Sequence, residues 1–568
     1  MPVDDAFITF RFAENFVNGH GLGFNPGEKV EGYTSFAWLV VNAPLTLLGK
    51  VPVQIWAVLL GILAWAGVVA LTWRQVRRVR GDRPLGFSEW LLILYLALCT
   101  PGVMWANSGM ETAPFALAWI AAWTLHLREH ERNSLPWASA LVTFAAGLLH
   151  PEGVLIGLVL GVSWLIPWRK DRVVRALMYG GLAGGLFATY WLLRWLYFGY
   201  AMPNTYYAKV GGGGALMVSG LTYLWRSSIS MLTPLALVGC ILWRVKTWRQ
   251  WPRWLTTALG LLGVLLIYIV RVGGDYFAFQ RFLLPGFPFF ALGIWYFAVG
   301  RRDPEQQPTP RGRPVLKAAA VAVGLAVWAN MIPMGHMLQH RLLQQAMSDY
   351  IAAGKALRGS IPEDATVATI PIGAFGFYSG KRILDLVGLT DVHLAHLEIA
   401  TGRRVVGHEK YDYGYVFEQR PEIIMQLPAL FARGEAGVRE WLRKTTLNAQ
   451  QYTIYSYVEL KEQYELCWHA VQKPAKIRRR EQTGRLGVYA YVRKDLLGRA
   501  AYRHWKRLPE PQAKFPFKNW QETVRANVEY FGDRRIGMWK FAHEPISEPP
   551  PEKPVQVWPP PADAAATP

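Results

Sequence analysis

The sequence predicts a polytopic α-helical membrane protein carrying a C-terminal soluble α/β or α+β domain. Three observations predict it: a succession of long apolar stretches up to about residue 334, basic residues confined to alternate loops between them, and a change of pattern after residue 335. The composition agrees. Of 568 residues 52% are hydrophobic and 26 are Trp, yet the mean hydropathy is only +0.12, as expected when a lipid-embedded part and a polar part share one chain.

Apolar stretches long enough to cross roughly 30 Å of hydrocarbon lie near 53–73, 89–106, 113–127, 134–150, 153–168, 174–198, 215–243, 254–270, 282–299 and 315–334, about ten spans in all. The stretch 113–127 is short, and 215–243 is interrupted at Trp225-Arg226. Residues 36–48 are apolar but short and broken by Pro44, which predicts a helix lying along the interface. The first 50 residues read as an outer loop that precedes the bundle.

Charge orients the bundle. The loops at 74–83, 128–132, 169–175, 244–253 and 301–317 hold 20 Lys and Arg, whereas the intervening segments hold six: Arg11, Lys29, Lys50, Lys209, Arg271 and Arg281. The first set is expected on the cytoplasmic side of the membrane, and the opening segment and C-terminal domain on the extracytoplasmic side. The net charge of +21 therefore reflects topology, and no nucleic-acid partner is expected. An even number of spans would leave both ends outside, so a further span upstream of Met1 is expected. Cys99, Cys240 and Cys467 are too few for a disulfide framework or a Cys-rich metal site, and the chain has no HExxH, P-loop or CxxC motif.

These patterns divide the chain into a transmembrane domain at 1–335, a soluble domain at 336–545 and a Pro-rich disordered tail at 546–568. In the soluble domain ATVATIP and RILDLVG read as strands, and RGEAGVREWLRKTT reads as a helix. Gly211 to Gly214 read as a hinge.

The unusual polar clusters of the first 335 residues all fall on the predicted outer side. They are Asp4-Asp5, Glu31 with Tyr33 and Thr34, Ser108 to Thr112 around Glu111, His150 with Glu152, Asn204 to Lys209, and Asp275 with Arg281. Such convergence predicts one shared site. Each also has a plain structural reading. Glu111 sits where a helix cap or dipole partner belongs, and Pro151-Glu152 suits the first turn of a helix. His150 suits a satisfied polar residue at a helix end. Tyr206 and Tyr207 either stack on a sugar or join the interfacial belt, and Lys209 either holds a phosphate or anchors at the headgroups. Arg281 suits bidentate contact with a phosphate. The adjacent aspartates are the sharper signal, because two carboxylates beside hydrocarbon cost free energy unless paired or used. Arg11 is a candidate ion-pair partner for one of them.

VDDAFITFRFAENFVNGHGLGFNPGEKVEGYTSF, SGMET, HPEG, PNTYYAK, GGDYFAFQRFLLP and LDLVGLTDVHLAH resemble segments of bacterial C-type (GT-C) membrane glycosyltransferases, in the branch of terminal β-(1→2) arabinofuranosyltransferases and pilin arabinofuranosyltransferases. The resemblance covers residues 1–420 in patches. It implies inverting transfer of arabinofuranose or a similar sugar from a polyprenyl-phosphate donor to a glycan, lipid or protein acceptor in the cell envelope. An aspartate of the first outer loop would be the catalytic base, Asp4 ahead of Asp5. Arg11, Glu31, Tyr33, Thr34, Glu111, His150, Glu152, Asn204, Tyr206, Tyr207, Lys209, Asp275 and Arg281 would line the donor and acceptor pockets, and the soluble domain would help bind acceptor. No cofactor is required by this chemistry and no metal site is assigned, although two adjacent aspartates leave a divalent cation possible. The alternative function is a transporter or flippase of lipid-linked sugars. Carriers place ionisable groups near the bilayer midplane, whereas Arg194 is the main charge inside these spans.

Overall fold

The computed structural model of the chain describes residues 2–49, 51–211, 213–275, 277, 279–297, 334–399, 409–425, 458–470 and 487–508. The chain divides into two compact units. The first contains Met1–Ala13, Thr34–Ala201 and Gly213–Leu342, and the second contains Glu14–Tyr33, Met202–Gly212 and Leu343–Pro568. The sequence places a single boundary near 335. The structure instead adds two earlier segments, 14–33 and 202–212, to the C-terminal unit.

The first 50 residues are not a loop. Asp4–Val17 forms α1, with Asp4 and Asp5 in its first turn, where carboxylates complement the positive end of the helix dipole. Ala6, Phe7, Ile8, Phe10, Phe12 and Ala13 are all buried, and the polar Thr9, Arg11 and Asn15 are buried with them. Phe36–Thr46 forms α2, the short helix expected around 36–48.

The rest of the first unit is a helical bundle. It comprises α3 (Val53–Arg80), α4 (Phe87–Leu98), α5 (Thr100–Ala106), α6 (Thr112–Glu131), α7 (Trp137–Leu149), α8 (Val154–Trp164), α9 (Lys170–Phe198), α11 (Gly214–Met231), α12 (Thr233–Arg244), α13 (Arg253–Val272) and α14 (Phe287–Trp295); Asn204–Lys209, α10, belongs to the second unit. Among the described residues α3, α9 and α13 are long and apolar enough to cross a membrane, or up to five spans if two bent pairs count as one each. Within the described residues two of the expected stretches are not single straight helices. The 89–106 stretch is two helices bent by 42°, because Pro101 cannot continue a helix and Cys99 is extended. The 215–243 stretch breaks by 90° at Leu232, which is left-handed and stands ahead of Pro234, and not at Trp225-Arg226. In addition, α7, α8 and α14 are 13, 11 and 9 residues long, and apolar composition alone does not reveal such shortness. The stretch 113–127 is longer than expected, a 20-residue helix. The stretch expected at 315–334, the basic loop at 301–317, the helix expected at 433–446 and the tail at 546–568 lie outside the described residues, apart from Met334 at the start of a helix.

Polar side chains tie the bundle together where apolar faces alone would slide. Trp123 donates to Thr257 at 2.9 Å, Tyr95 and Thr233 share a hydrogen bond at 3.0 Å, and Trp295 donates to the buried Glu89 at 3.0 Å. Gly153 allows a close approach, since an added Cβ would lie 2.3 Å from the Ala146 carbonyl carbon. The chain is a multi-pass membrane protein of this helical kind, followed by a sheet-containing unit.

That second unit holds the part of α15 (Met334–Arg358) from Leu343 onward and, among the described residues, a six-stranded sheet of β1 (Thr366–Thr369), β2 (Arg382–Asp385), β3 (Ile423–Met425), β4 (Tyr464–Ala470), β5 (Gly487–Arg493) and β6 (Trp505–Arg507). Its order is β2-β1-β3-β5-β4-β6. The first three strands are parallel and the remainder antiparallel, so the fold is mixed α/β. The parallel strands are joined through α16 (Gly373–Ser379), α17 (Val392–His396) and α18 (Tyr413–Glu418), and α19 (Val458–Gln463) leads into β4. The expected strands ATVATIP and RILDLVG are β1 and β2.

Edge strand β2 is completed from the distant N-terminal segment. The Asn25 side chain accepts from the Ile383 amide at 2.9 Å and donates to the Ile383 carbonyl at 2.8 Å, as a neighbouring backbone would. Asn25 is 3% exposed, so both bonds are made away from water. We expect Asn25→Ala to destabilise the second unit by about 1–3 kcal/mol, read as a lower unfolding temperature of the detergent-solubilised full chain. An unchanged transition would mean that this pairing does not hold the segment.

Candidate active site

In the first unit the two ends of the sequence-predicted site meet. Arg281 grips Asp275 through two hydrogen bonds, Nε to Oδ2 at 2.8 Å and Nη2 to Oδ1 at 3.1 Å, and its Nη1 lies 3.6 Å from Asp5 Oδ2. The Asp275 side chain is 2% exposed, Arg281 13% and Asp5 31%. The arrangement therefore grades from a buried carboxylate through a covered cation to an accessible carboxylate. The guanidinium also lies over the rings of Phe277 at 4.7 Å, Phe282 at 5.3 Å and Trp105 at 5.7 Å, which suits a cation out of water.

Local backbone explains this placement. Phe279 and Gln280 both have positive φ, 65° and 47°, which directs the chain into the 3₁₀ turn Arg281–Gly286. The Trp105 indole holds that bend by donating to the Phe279 carbonyl at 2.8 Å. Opposite, the SGMET turn seats the start of α1. The Val3 amide donates to the Ser108 carbonyl at 3.0 Å, the Ser108 hydroxyl receives the Met110 amide at 3.1 Å, and the Trp38 indole donates to the Gly109 carbonyl at 3.0 Å. Gly109 has φ 75°, and a Cβ there would lie 3.1 Å from Pro2, so the position requires glycine.

Other predicted residues are distributed as follows. Asp4 precedes Asp5 in the first turn of α1, and Arg11 is buried further along it. Glu111 is buried immediately before α6, and Thr34 belongs to the first unit. His150 pairs with the buried Glu152 in the turn Pro151–Gly153, and its ring centroid is 5.6 Å from that of Phe115. Arg194 is buried and donates to the Ala201 carbonyl at 2.7 Å, which makes this intramembrane charge a cap for a chain turn.

Glu31, Tyr33, Asn204, Tyr206, Tyr207 and Lys209 belong to the second unit. There the Asn204 amide nitrogen donates to the carbonyls of Gly388, Leu389 and Asp391 at 2.9, 3.1 and 3.1 Å, and its backbone donates to Glu31 O at 3.0 Å. Lys410 donates to the Tyr207 and Ala395 carbonyls at 2.8 and 2.9 Å, and Tyr207 stacks on His396 at 4.2 Å. Thus Asn204 and Tyr207 secure the segment onto LDLVGLTDVHLAH. Tyr206 and Lys209 are exposed.

Residue-by-residue reading missed the polar network of LDLVGLTDVHLAH itself. Buried Asp385 accepts from the Val387 and Thr390 amides at 3.0 and 2.8 Å. Asp391 caps α17 through the Leu394 amide at 2.9 Å and accepts from Tyr415 at 3.0 Å, and His393 bonds Asp412 at 3.0 Å while stacking on Tyr415 at 4.0 Å. The available signal was an aspartate inside the apolar run LDLVGL. Burial would raise the Asp412 carboxyl, but the His393 hydrogen bond outweighs it and the group stays below its ordinary range. Burial pushes the Lys410 amine down to about 8. Burial also pushes Asp385 up to about 6, against the pull of its amide partners. Among the described residues no three His, Cys, Asp or Glu side chains gather as a metal site.

Residues 338–489 match the family described as a domain of unknown function, DUF8728. The chain is similar to the terminal β-(1→2)-arabinofuranosyltransferase of Corynebacterium glutamicum, 27% identical over 379 residues, covering 59% of this chain and 53% of the relative. It is also similar to the enzyme of the same name from Mycobacterium tuberculosis, 29% identical over 277 residues, covering 45% of this chain and 42% of the relative. The chain thus spans about half the length of these curated relatives. Among solved structures, ArnT from Cupriavidus metallidurans in the apo state aligns over 86% of this chain and 93% of its own, at 12% identity and a TM-score of 0.44. The resemblance to terminal arabinofuranosyltransferases is the one expected from the motifs.

The raised Asp385 carboxyl has a signed consequence for stability. An unfolded chain releases this proton near 3.8 and the folded one near 6, so the folded state holds more proton between them. The contribution is complete below 3.8 and is lost as pH rises through about 6. We expect Asp385→Asn to flatten that part of the unfolding-temperature profile measured on the full chain. Parallel profiles for the two proteins would remove the assignment.

Proposed function

We propose that this chain is a membrane glycosyltransferase that moves arabinofuranose or a similar sugar, with inversion, from a polyprenyl-phosphate donor to a glycan, lipid or protein acceptor outside the cytoplasm. The observation that carries this reading is the contact of Asp5 with Arg281, and of Arg281 with Asp275, in a chain similar to terminal arabinofuranosyltransferases. It puts one accessible carboxylate, Asp5, beside a fixed cation, with Asp4 next to it in the first turn of α1.

In the proposed reaction the acceptor hydroxyl gives its proton to Asp4 as its oxygen attacks the anomeric carbon from the face opposite the leaving group. The bond from that carbon to the phosphate oxygen breaks, and its electron pair departs on polyprenyl phosphate. Arg281, held in orientation by Asp275, neutralises the departing charge by charge-assisted hydrogen bonds. The base is assigned to Asp4, the position that the resemblance to terminal arabinofuranosyltransferases implies, with Asp5 beside it at 3.6 Å from Arg281. Because a guanidinium meets the phosphate, the proposal requires no metal or other cofactor.

Topology supports the outer location. Segments 14–33 and 202–212 fold into one compact unit with 343–568, so these three regions lie on the same side of the bilayer. It is the side whose loops are poor in Lys and Arg. The second unit, with Tyr206 exposed on it, is our candidate for acceptor binding.

We expect Asp4→Asn to lower transfer by about 100-fold or more while leaving insertion and purification unchanged, measured in proteoliposomes with a labelled polyprenyl-phosphate sugar and an envelope glycan acceptor. Transfer at the wild-type rate would remove the base. Label that merely crosses the bilayer, with no glycosylated product, would favour a carrier. EDTA is expected to leave the transfer rate within about twofold, since Arg281 supplies the charge; a loss restored by a divalent cation would overturn that part.

A further inference from the structure

A second cationic site stands in the first unit, built by the ends of α6, α8, α9 and α13. The Ile166 carbonyl receives hydrogen bonds from two arginines at once, Arg172 Nη1 at 3.1 Å and Arg253 Nη2. Arg253 also donates to the Ser163 carbonyl at 2.8 Å. Two guanidiniums sharing one acceptor atom repel each other, and neither has a carboxylate partner among the described residues. The nearby acids are otherwise engaged. Glu129 accepts from the Ala138 and Ser139 amides at 2.8 and 3.0 Å and from the Ser139 hydroxyl, whereas Asp171 pairs with Arg169 and Arg175.

The lining is also prepared for a charge-bearing guest. His130 takes a hydrogen bond from Arg172 and stacks on Trp164 at 5.2 Å, and the Arg175 guanidinium lies 6.0 Å from the Trp164 ring centroid. Among the described residues His126 Nδ1 and Trp164 Nε1 are buried polar atoms without a hydrogen-bond partner. The start of α9, a 29-residue helix, adds its positive dipole end. Half-buried, crowded cations without counter-charge are retained at a cost unless an anion completes them.

We infer that Arg172 and Arg253, with His130 and Trp164, form a binding site for a phosphate ester, and specifically for the headgroup of an anionic phospholipid. Free phosphate shares that chemistry, but the neighbouring side chains favour lipid. Ile166 and Trp168 are 61% and 76% exposed, an apolar and an interfacial aromatic side chain standing beside the cations. The site lies among the basic loops, on the face opposite the one proposed for sugar transfer, so its occupant is a ligand separate from the sugar donor.

The test uses the full chain in neutral detergent, offered phosphatidylglycerol or phosphatidylcholine and examined by native mass spectrometry. We expect retained phosphatidylglycerol, little phosphatidylcholine, and a loss of the retained lipid by roughly tenfold or more in R172Q/R253Q. Equal retention of both lipids by the wild type, or equal phosphatidylglycerol in the variant, overturns the proposal. Displacement of the lipid by millimolar inorganic phosphate assigns the site to free phosphate and overturns the lipid assignment. Should R172Q/R253Q not fold, phenylglyoxal labelling of the wild type replaces it: phosphatidylglycerol is expected to protect Arg172 and Arg253 where phosphatidylcholine does not, and equal labelling overturns the proposal.

Discussion

A covered guanidinium has to be neutralised, and much of the first unit is arranged around doing that for Arg281. Its charge is met by the buried Asp275 through two hydrogen bonds and by Asp5 at 3.6 Å, while three aromatic rings cover its faces. The positive φ angles at Phe279 and Gln280, the Trp105 hydrogen bond and the glycine at 109 are the backbone conditions of that arrangement. Removing either carboxylate leaves a cation partly desolvated, which is costly. The same cation, kept partly accessible beside a carboxylate, is what a departing phosphate requires, so stability and proposed chemistry draw on one interaction.

The second unit depends on a different device. Two asparagines from distant parts of the chain, Asn25 and Asn204, use their side-chain amides as backbone substitutes on the β2 edge and on the turn that follows it. An amide side chain satisfies exposed carbonyl and amide groups without adding a strand, so loops far apart in sequence become parts of the domain. This also explains why PNTYYAK and LDLVGLTDVHLAH stand out together in the sequence. Asn204 and Tyr207 from the first meet the carbonyls and His396 of the second.

The two readings of basic residues differ in kind. Loop arginines as a group report orientation, a statistical property that needs no individual contacts. Arg172 and Arg253 depart from the group because they converge on one carbonyl with no carboxylate partner among the described residues, and a convergence of that sort is a property of place and not of composition. In the segments expected to face outward, Arg281 is one of six basic residues, and there scarcity was itself the clue.

Sequence by itself determined the class: a lipid-embedded helical part, its charge asymmetry, a later strand-bearing part, and the acidic and basic residues around which a site was expected. Hydropathy, charge count and short motifs are local quantities, so they survive without a fold. It also paired Asp275 with Arg281, six residues apart. What only the tertiary structure decided was which helices are broken or short, because Pro101 and Leu232 redirect the backbone through steric contacts that composition averages away. It decided as well that residues 14–33 and 202–212 fold with the C-terminal unit, and that Arg281 rather than a neighbour in sequence stands beside Asp5. Those outcomes rest on long-range packing and hydrogen bonding, in which the partners are chosen by geometry after the helices have assembled.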